Sequence, residues 1–321
     1  MNILVTGGLG LIGHNVVKKL EDLGHNVAIT DTRTNYGCIP QTEIDYLISR
    51  RLEHIKTNQI HRVDISDHNG VTWLFEKYQP AIVIHLASFP RQKVVNASPM
   101  LGSRAMSEGL LNLLEAAKKH NTCKFVYTSS SMVYGDFNDF VKEDAVCRPQ
   151  GQYGIMKLAG EWLIRDYERF GIAHTILRPS AVYGPLDVED RVISKFILKA
   201  MRGETLKVNG DTETLDFTYV DDAAQGIVDA ALSSNTNNQI YNITKSHSTT
   251  LLAAAEMAVR LAGRGSIEVK EKDADYPSRG ALDITKAKTD FGFNPKVDIE
   301  EGFEIYYNWL KADPYFGIDN H

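Results

Sequence analysis

Two periods of apolar spacing share this chain. Short solid apolar runs, such as Ile3-Leu4-Val5 and the stretch AIVIHLA from Ala81 to Ala87, read as strands buried on both faces, the interior of a parallel sheet. Between such runs apolar residues recur at helical spacing, as at Val16, Val17, Leu20 and Leu23. The alternation continues through HNVAITD, which ends at Asp31, then a polar connection from Thr32 to Gln59 with a short helix near Tyr46 to Arg51. A strand from Ile60 to Ile65, a helix from Gly70 to Tyr78, AIVIHLA, a helix over SEGLLNLLEAAKKH and the strand CKFVYTSSS follow. Strand and helix in such strict turn predict an α/β fold with a doubly wound parallel sheet. The helix carrying Leu110, Leu111, Leu113 and Leu114 is apolar on more than one face. That predicts packing on the sheet on one side and on a second copy on the other, a homodimer, with burial under the chain's own loops as the other reading.

From Pro179 onward the pattern loosens into RPSAVYGPLD, a helix near Val192 to Arg202, ETLKVNG, DFTYVDDAAQGIVDAAL, a strand YNIT and a helix near Leu251 to Ala262. Two interleaved lobes are expected, residues 1–178 plus about 216–247 and residues 179–215 plus about 248–321, without repeats or a long linker. A last helix near Glu300 to Lys311 leaves a short loose tail.

The first strand runs straight into spaced glycines, Gly7, Gly10 and Gly13, and then into the first helix. A buried strand must turn sharply there, with Gly10 admitting a pyrophosphate close to the backbone and Gly13 letting the helix pack on the strand. The amides around Leu11 and Ile12 and the positive end of the helix dipole would face the phosphates. Asp31 stands at the distance where an acid takes the ribose hydroxyls, and its carboxylate favours NAD over the 2′-phosphate of NADP, although Arg33 lies two residues on. Asn35 falls in the cofactor-side connection.

Composition narrows the classes. A chain that is 43% hydrophobic and 24% charged can bury a sizeable core. A net charge of -6 without a basic aromatic stripe argues against nucleic acid. No apolar run approaches the ~20 residues of a membrane span, and the first strand at Met1 leaves no room for a leader, so a cytoplasmic protein is expected. Cys38, Cys123 and Cys147 are odd in number and lack metal-type spacing, and the histidines do not cluster, so no metal is expected. His85 reads as a core histidine.

A second constellation carries chemistry. Tyr153 and Lys157 lie four apart, hence on one helix face, downstream of the serine-rich end of a buried strand. Two other Tyr-x-x-x-Lys pairs, Tyr241 with Lys245 and Tyr307 with Lys311, lack such a strand. A phenol titrates near 10 in water, and a neighbouring ammonium favours the phenolate, so Tyr153 can act as a general base. Lys157 would lower that pKa and hold the nicotinamide ribose, while Ser130 would hydrogen-bond the reacting hydroxyl.

TGGLGLIG, Asp31, VDI at Val63 to Ile65, HLA at His85 to Ala87, SSSMVYG, Tyr153 with Lys157, and RPSAVYGP together resemble the extended short-chain dehydrogenase/reductase family of nucleotide-sugar-modifying enzymes. The resemblance covers nearly the whole chain and implies a Rossmann-like first lobe that binds NAD and a smaller α/β second lobe that closes over a nucleotide sugar. It places Asp64 and Ile65 beside the adenine and Leu86 and Ala87 on the nicotinamide side, counts Ser88, Thr128 and Pro179 among the cofactor-binding residues, and makes Ser130 the triad serine, with Ser131 binding substrate.

The resemblance also eliminates. Sugar dehydratases of this kind carry Asp-Glu after the triad Ser or Thr, where this chain has Ser131 and Met132. Related decarboxylases have glutamate at the Met132 position, and 3,5-epimerases use Cys there and His where Leu186 stands. What remains is 4-epimerisation, with dehydrogenase or ketoreductase activity as the alternative and a non-catalytic NAD sensor, which needs no triad, as a third. Four positions depart from the epimerase pattern: Leu215 replaces a diphosphate arginine, Lys272 falls at the second, Ala181 replaces an asparagine near the phosphate, and Met106 another. The cations left for a diphosphate are Arg191, Lys195, Lys272 and Arg279, with the arginines favoured because they bind phosphate bidentately.

Overall fold

A parallel sheet of seven strands forms the frame of the protein, whose computed structural model describes residues 1–317. Up to the sixth strand the order is β1 (Asn2–Thr6), α1 (Leu11–Asp22), β2 (Asn26–Thr30), α2 (Gln41–Glu53), β3 (Ile60–His61), α3 (His68–Tyr78) and β4 (Ile82–His85). Next come α4 (Gln92–Ala97), α5 (Pro99–Ser103), α6 (Gly109–Lys119), β5 (Lys124–Thr128), α7 (Gly151–Asp166) and β6 (Ala173–Pro179). The remainder comprises β7 (Val182–Tyr183), α8 (Val192–Met201), β8 (Thr205–Asn209), β9 (Thr214–Asp216), β10 (Thr218–Tyr219), α9 (Val220–Leu232) and β11 (Gln239–Ile243). It ends with β12 (Ser248–Thr250), α10 (Leu251–Ala262), β13 (Ser266–Lys270), α11 (Thr285–Phe291) and α12 (Ile299–Ala312). Strands lie in the order β11-β6-β5-β4-β1-β2-β3 with every pair parallel. The order reverses between β1 and β4, and ligands of such sheets bind outside the strand ends at that point.

β1 explains why its run is solidly apolar. Ile3 and Val5 enter the core on one face with Val16, Val17, Leu20, Ile227 and Val228, while Leu4 enters the other with Phe75, Leu110, Leu113 and Tyr127. Each such burial contributes about 1.5–3 kcal/mol. A third core joins α8, α10 and α12 to β8 through Phe196, Ile197, Leu206, Ala254 and Phe303, and takes in Leu47 from α2. Conversely Ile284, Ala287 and Phe293 from the late chain pack into the first core.

Some elements differ in extent from the sequence reading. The strand expected from Ile60 to Ile65 keeps two residues, because it lies at the sheet edge with β2 as its one partner. Beyond it Asp64 turns back to accept from the amide and hydroxyl of Ser66. The short helix of the polar connection is thirteen residues long. The leucine helix is entered through a π turn at Arg104–Glu108. Leu110, Leu113 and Leu114 are buried within the chain itself, and Leu111 is 38% exposed. In the expected loose tail, Phe316 is buried and Asp313 accepts from the Tyr46 hydroxyl; residues 318–321 lie outside the described residues. No helix among the described residues is long and apolar enough to cross a membrane.

Candidate active site

Loops at the carboxyl ends of β1, β2, β4, β5 and β6 open on one cleft of about 960 Å³. Gly7 has φ +69, and a Cβ there would stand 2.7 Å from the Ala87 nitrogen; one on Gly13 would stand 2.2 Å from the Gly7 oxygen. Both positions therefore exclude any side chain. Gly10 caps α1 with extended backbone and no side chain, so the first amides of the helix, at Leu11 and Ile12, face the cleft unscreened. Asp31 ties β2 to this loop, one oxygen accepting from Leu9 N at 3.0 Å and the other from Arg33 N at 2.8 Å. Asp64, Ile65, Leu86, Ala87, Ser88, Thr128 and Pro179 line the same cleft. Asn35 does too, but its amide shapes its own loop, donating to Ile39 O and accepting from Gly37 N. His85 lies buried behind them, hydrogen-bonded to Thr6 Oγ1 at 2.7 Å, and burial holds its pKa down to about 3.

Ser130 lies two residues beyond the end of β5 and caps a short 3₁₀ turn, its Oγ accepting from Met132 N at 3.2 Å. Tyr153 and Lys157 reach the cleft from α7. Lys157 is 4% exposed; its Nζ donates to Thr128 O at 2.7 Å and lies 5.9 Å from the Tyr153 ring centre. Burial pushes its pKa down to about 7, and the Glu161 carboxylate, one turn along α7, pulls it back up. Burial also pushes the Tyr153 phenol up, opposed first by Arg191, then by a hydrogen bond with Ser130 and by Arg279. Lys157 donates to the Thr128 carbonyl beside the phenol, and Arg191 and Arg279 stand as two further cations acting on that phenol. Behind the triad, Arg178 grips Glu161 with two bonds, at 2.9 and 2.6 Å, and Ser129 donates to the same carboxylate. This fixes the end of β5 that carries both Ser130 and the lysine's acceptor.

Ser131, Arg191, Lys195, Lys272 and Arg279 line the same cleft. Lys195 shares Asp190 with Arg91, and Lys272 pairs with Glu213, whereas Arg191 and Arg279 have no ion-pair partner among the described residues. Buried polar atoms without a hydrogen-bond partner gather here: Thr128 Oγ1, Ser131 Oγ, Ser180 Oγ, Asp187 Oδ2, Arg51 Nε and Arg279 Nε. Buried groups left in that state mark ligand sites, because each costs free energy until something pairs with it. The glycine cradle and these hydroxyls fit a dinucleotide, and the open arginines fit an anion.

Arg51 escaped the sequence reading. It is 6% exposed on α2, donating to Leu9 O at 2.9 Å and Leu186 O at 2.6 Å. The local signal was there, since Ile44, Leu47, Ile48 and Arg51 share one helix face and the arginine sits on its apolar stripe.

A model of the family described as NAD dependent epimerase/dehydratase matches residues 3–244. A Bacillus subtilis protein named as an uncharacterized UDP-glucose epimerase is 30% identical over 317 residues, 96% of this chain and 98% of its own. A UDP-glucuronate 4-epimerase of Thermodesulfobacterium geofontis is 29% identical over 316 residues, 97% of this chain and 96% of its own. Among solved structures, the UDP-glucuronic acid 4-epimerase from Bacillus cereus, in complex with UDP-glucuronic acid and NAD, superposes with a TM-score of 0.87 at 29% identity. That likeness covers 97% of this chain and 99% of the other.

Proposed function

The chain belongs to the NAD-dependent epimerase/dehydratase family of short-chain dehydrogenase/reductase enzymes, and from that premise we propose that it is a nucleotide-sugar 4-epimerase working through a transient 4-keto sugar. The observation that carries this reading is the meeting of Ser130, Tyr153 and Lys157 with the glycine cradle in one cleft. Tyr153 takes the proton of the sugar hydroxyl as general base, a role worth about 10²–10⁴ in rate. Ser130 holds the same oxygen, and Lys157 holds the nicotinamide ribose. NAD held in the glycine cradle would supply the acceptor for the hydride of the carbinol carbon and the donor for its return. Tyr153 then reprotonates the oxygen after the keto sugar has turned its other face. Nothing at Met132 or Leu186, both buried and apolar, can protonate a leaving hydroxyl or shuttle a ring proton, which favours an outcome confined to one carbinol.

The diphosphate is assigned to Arg191 and Arg279, with Lys195 and Lys272 at the mouth. The first lobe, residues 1–178 plus about 216–247, takes NAD at Gly7, Gly10, Gly13 and Asp31, and the rest takes the nucleotide sugar. Its working form is a homodimer built on α6 and α7, where Leu111, Ile155 and Trp162 are exposed. Three free thiols suit a reducing, cytoplasmic setting.

The test offers UDP-sugars of the glucose, galactose and glucuronate series in turn, without added reductant, and follows the sugar by NMR. At least one is expected to convert to its C4 epimer with no net NADH. NADH released in step with product, with no C4 epimer formed, would establish a dehydrogenase instead.

A further inference from the structure

Among the buried cations that the catalytic steps leave unused, Arg51 is one that lines the cleft. Arg51 stands on α2, outside the triad and away from the four diphosphate cations, yet it lines the same cleft. One of its terminal nitrogens donates to Leu9 O, in the glycine loop between Gly8 and Gly10, and the other donates to Leu186 O, in the segment between β7 and α8 whose Asp187 and Val188 line the cleft. Leu9 is thereby held at both main-chain groups, its amide by Asp31 and its carbonyl by Arg51. Leu186 adopts φ +67, a left-handed conformation unfavourable for a branched apolar residue, while its side chain is 1% exposed in the third core. A strained residue that offers its carbonyl to a buried guanidinium needs a reason beyond packing.

We infer that Arg51 is a cofactor-retention residue, a clasp joining the glycine loop to the segment between β7 and α8 so that NAD stays enclosed from one turnover to the next. The inference rests on NAD binding at the glycine loop, and not on which sugar is turned over. An enzyme that returns its hydride has no need to exchange the cofactor, whereas a dinucleotide leaving past Leu9 requires the two segments to part. Parting breaks two hydrogen bonds from a charged donor, and bonds to charged groups are the strong ones. Burial alone drives the pKa of Arg51 down, and Asp187, followed by Asp31, pulls it back, so the guanidinium keeps its charge without a direct carboxylate partner. Its two terminal nitrogens are bound to carbonyls from two separate segments, while Nε is left without a partner.

The experiment loads the protein with radiolabelled NAD, chases with excess unlabelled NAD and reads the release rate for the wild type, Arg51→Met and Arg51→Lys. Arg51→Met removes the bridge, and release is expected to quicken roughly tenfold or more. Arg51→Lys keeps the charge but has a single nitrogen, which can hold one carbonyl and not both, so it too is expected to release NAD faster than wild type. Hydrogen exchange on the NAD-free proteins should show residues 7–10 and 184–188 loosening together in either variant. Wild-type release rates in Arg51→Lys would overturn the clasp in favour of charge alone, and unchanged release in Arg51→Met would overturn it outright. Should Arg51→Met fail to fold, Arg51→Lys decides. Failure of the wild type to bind NAD would instead sink the cofactor reading on which the clasp depends.

Discussion

Tyr153 works as a base in surroundings that oppose it, since burial favours its neutral form and Arg191, Ser130 and Arg279 push the other way. Two of those three are residues assigned to the substrate, so filling the diphosphate site neutralises part of the field that activates the base. Tyr153→Phe keeps the ring and removes the proton acceptor, and turnover is expected to fall by about 10²–10⁴ while NAD affinity by calorimetry stays unchanged. Near-normal turnover would place the base elsewhere. That Asp31, Ser130, Tyr153, Lys157 and the glycines belong together on one cleft was legible in the sequence because each sits in a pattern of fixed short spacing next to a strand end. The role of Arg191 and Arg279 at the phenol was not, because it depends on loops more than thirty residues downstream of Tyr153 folding back over it. Arg51 was legible in principle, as a charge on an apolar helix stripe, and was missed because a helix of six residues is too short to show that stripe.

At the scale of elements, the join of β1 to α1 tolerates almost nothing. Gly13→Ala would place a methyl group 2.2 Å from the Gly7 oxygen, a backbone atom that cannot step aside without moving the turn. The variant is expected to lose about 1–3 kcal/mol in denaturant titration and to bind NAD more weakly by calorimetry. Unaltered stability and affinity together would show that the turn can shift freely. The strand and helix alternation of the first half was read correctly because strands buried on two faces and helices buried on one carry different periods. Ends were read less well: β3 stops early at the sheet edge, and α2 runs longer than its apolar positions announce, since Tyr46 and Leu47 pack towards the third core instead of the sheet. Periodicity reports how an element is covered and says little about which neighbour covers it.

Across the whole molecule, the exposed Ile155 and Trp162 lie seven apart on one face of α7, beside Leu111 of α6. Truncating a central tryptophan commonly costs an interface 2 kcal/mol or more, roughly thirtyfold in affinity. Trp162→Arg is therefore expected to move the protein towards monomer in sedimentation equilibrium, and an unchanged mass would remove this face from the proposed dimer. The chain also closes on itself in a way that bears on its making. Tyr46 donates to Asp313, 267 residues away, at 2.8 Å and stacks on Tyr315 with ring centres 4.8 Å apart. During synthesis β1, β2, β4, β5 and β6 are available in order, and both partners of Arg51, Leu9 and Leu186, are made well before α12, but Tyr46 of α2 meets Asp313 only after α12 has left the ribosome. The half of the chain that is made first is thus among the last to be finished, because α2 waits for a segment 267 residues downstream before Tyr46 is seated.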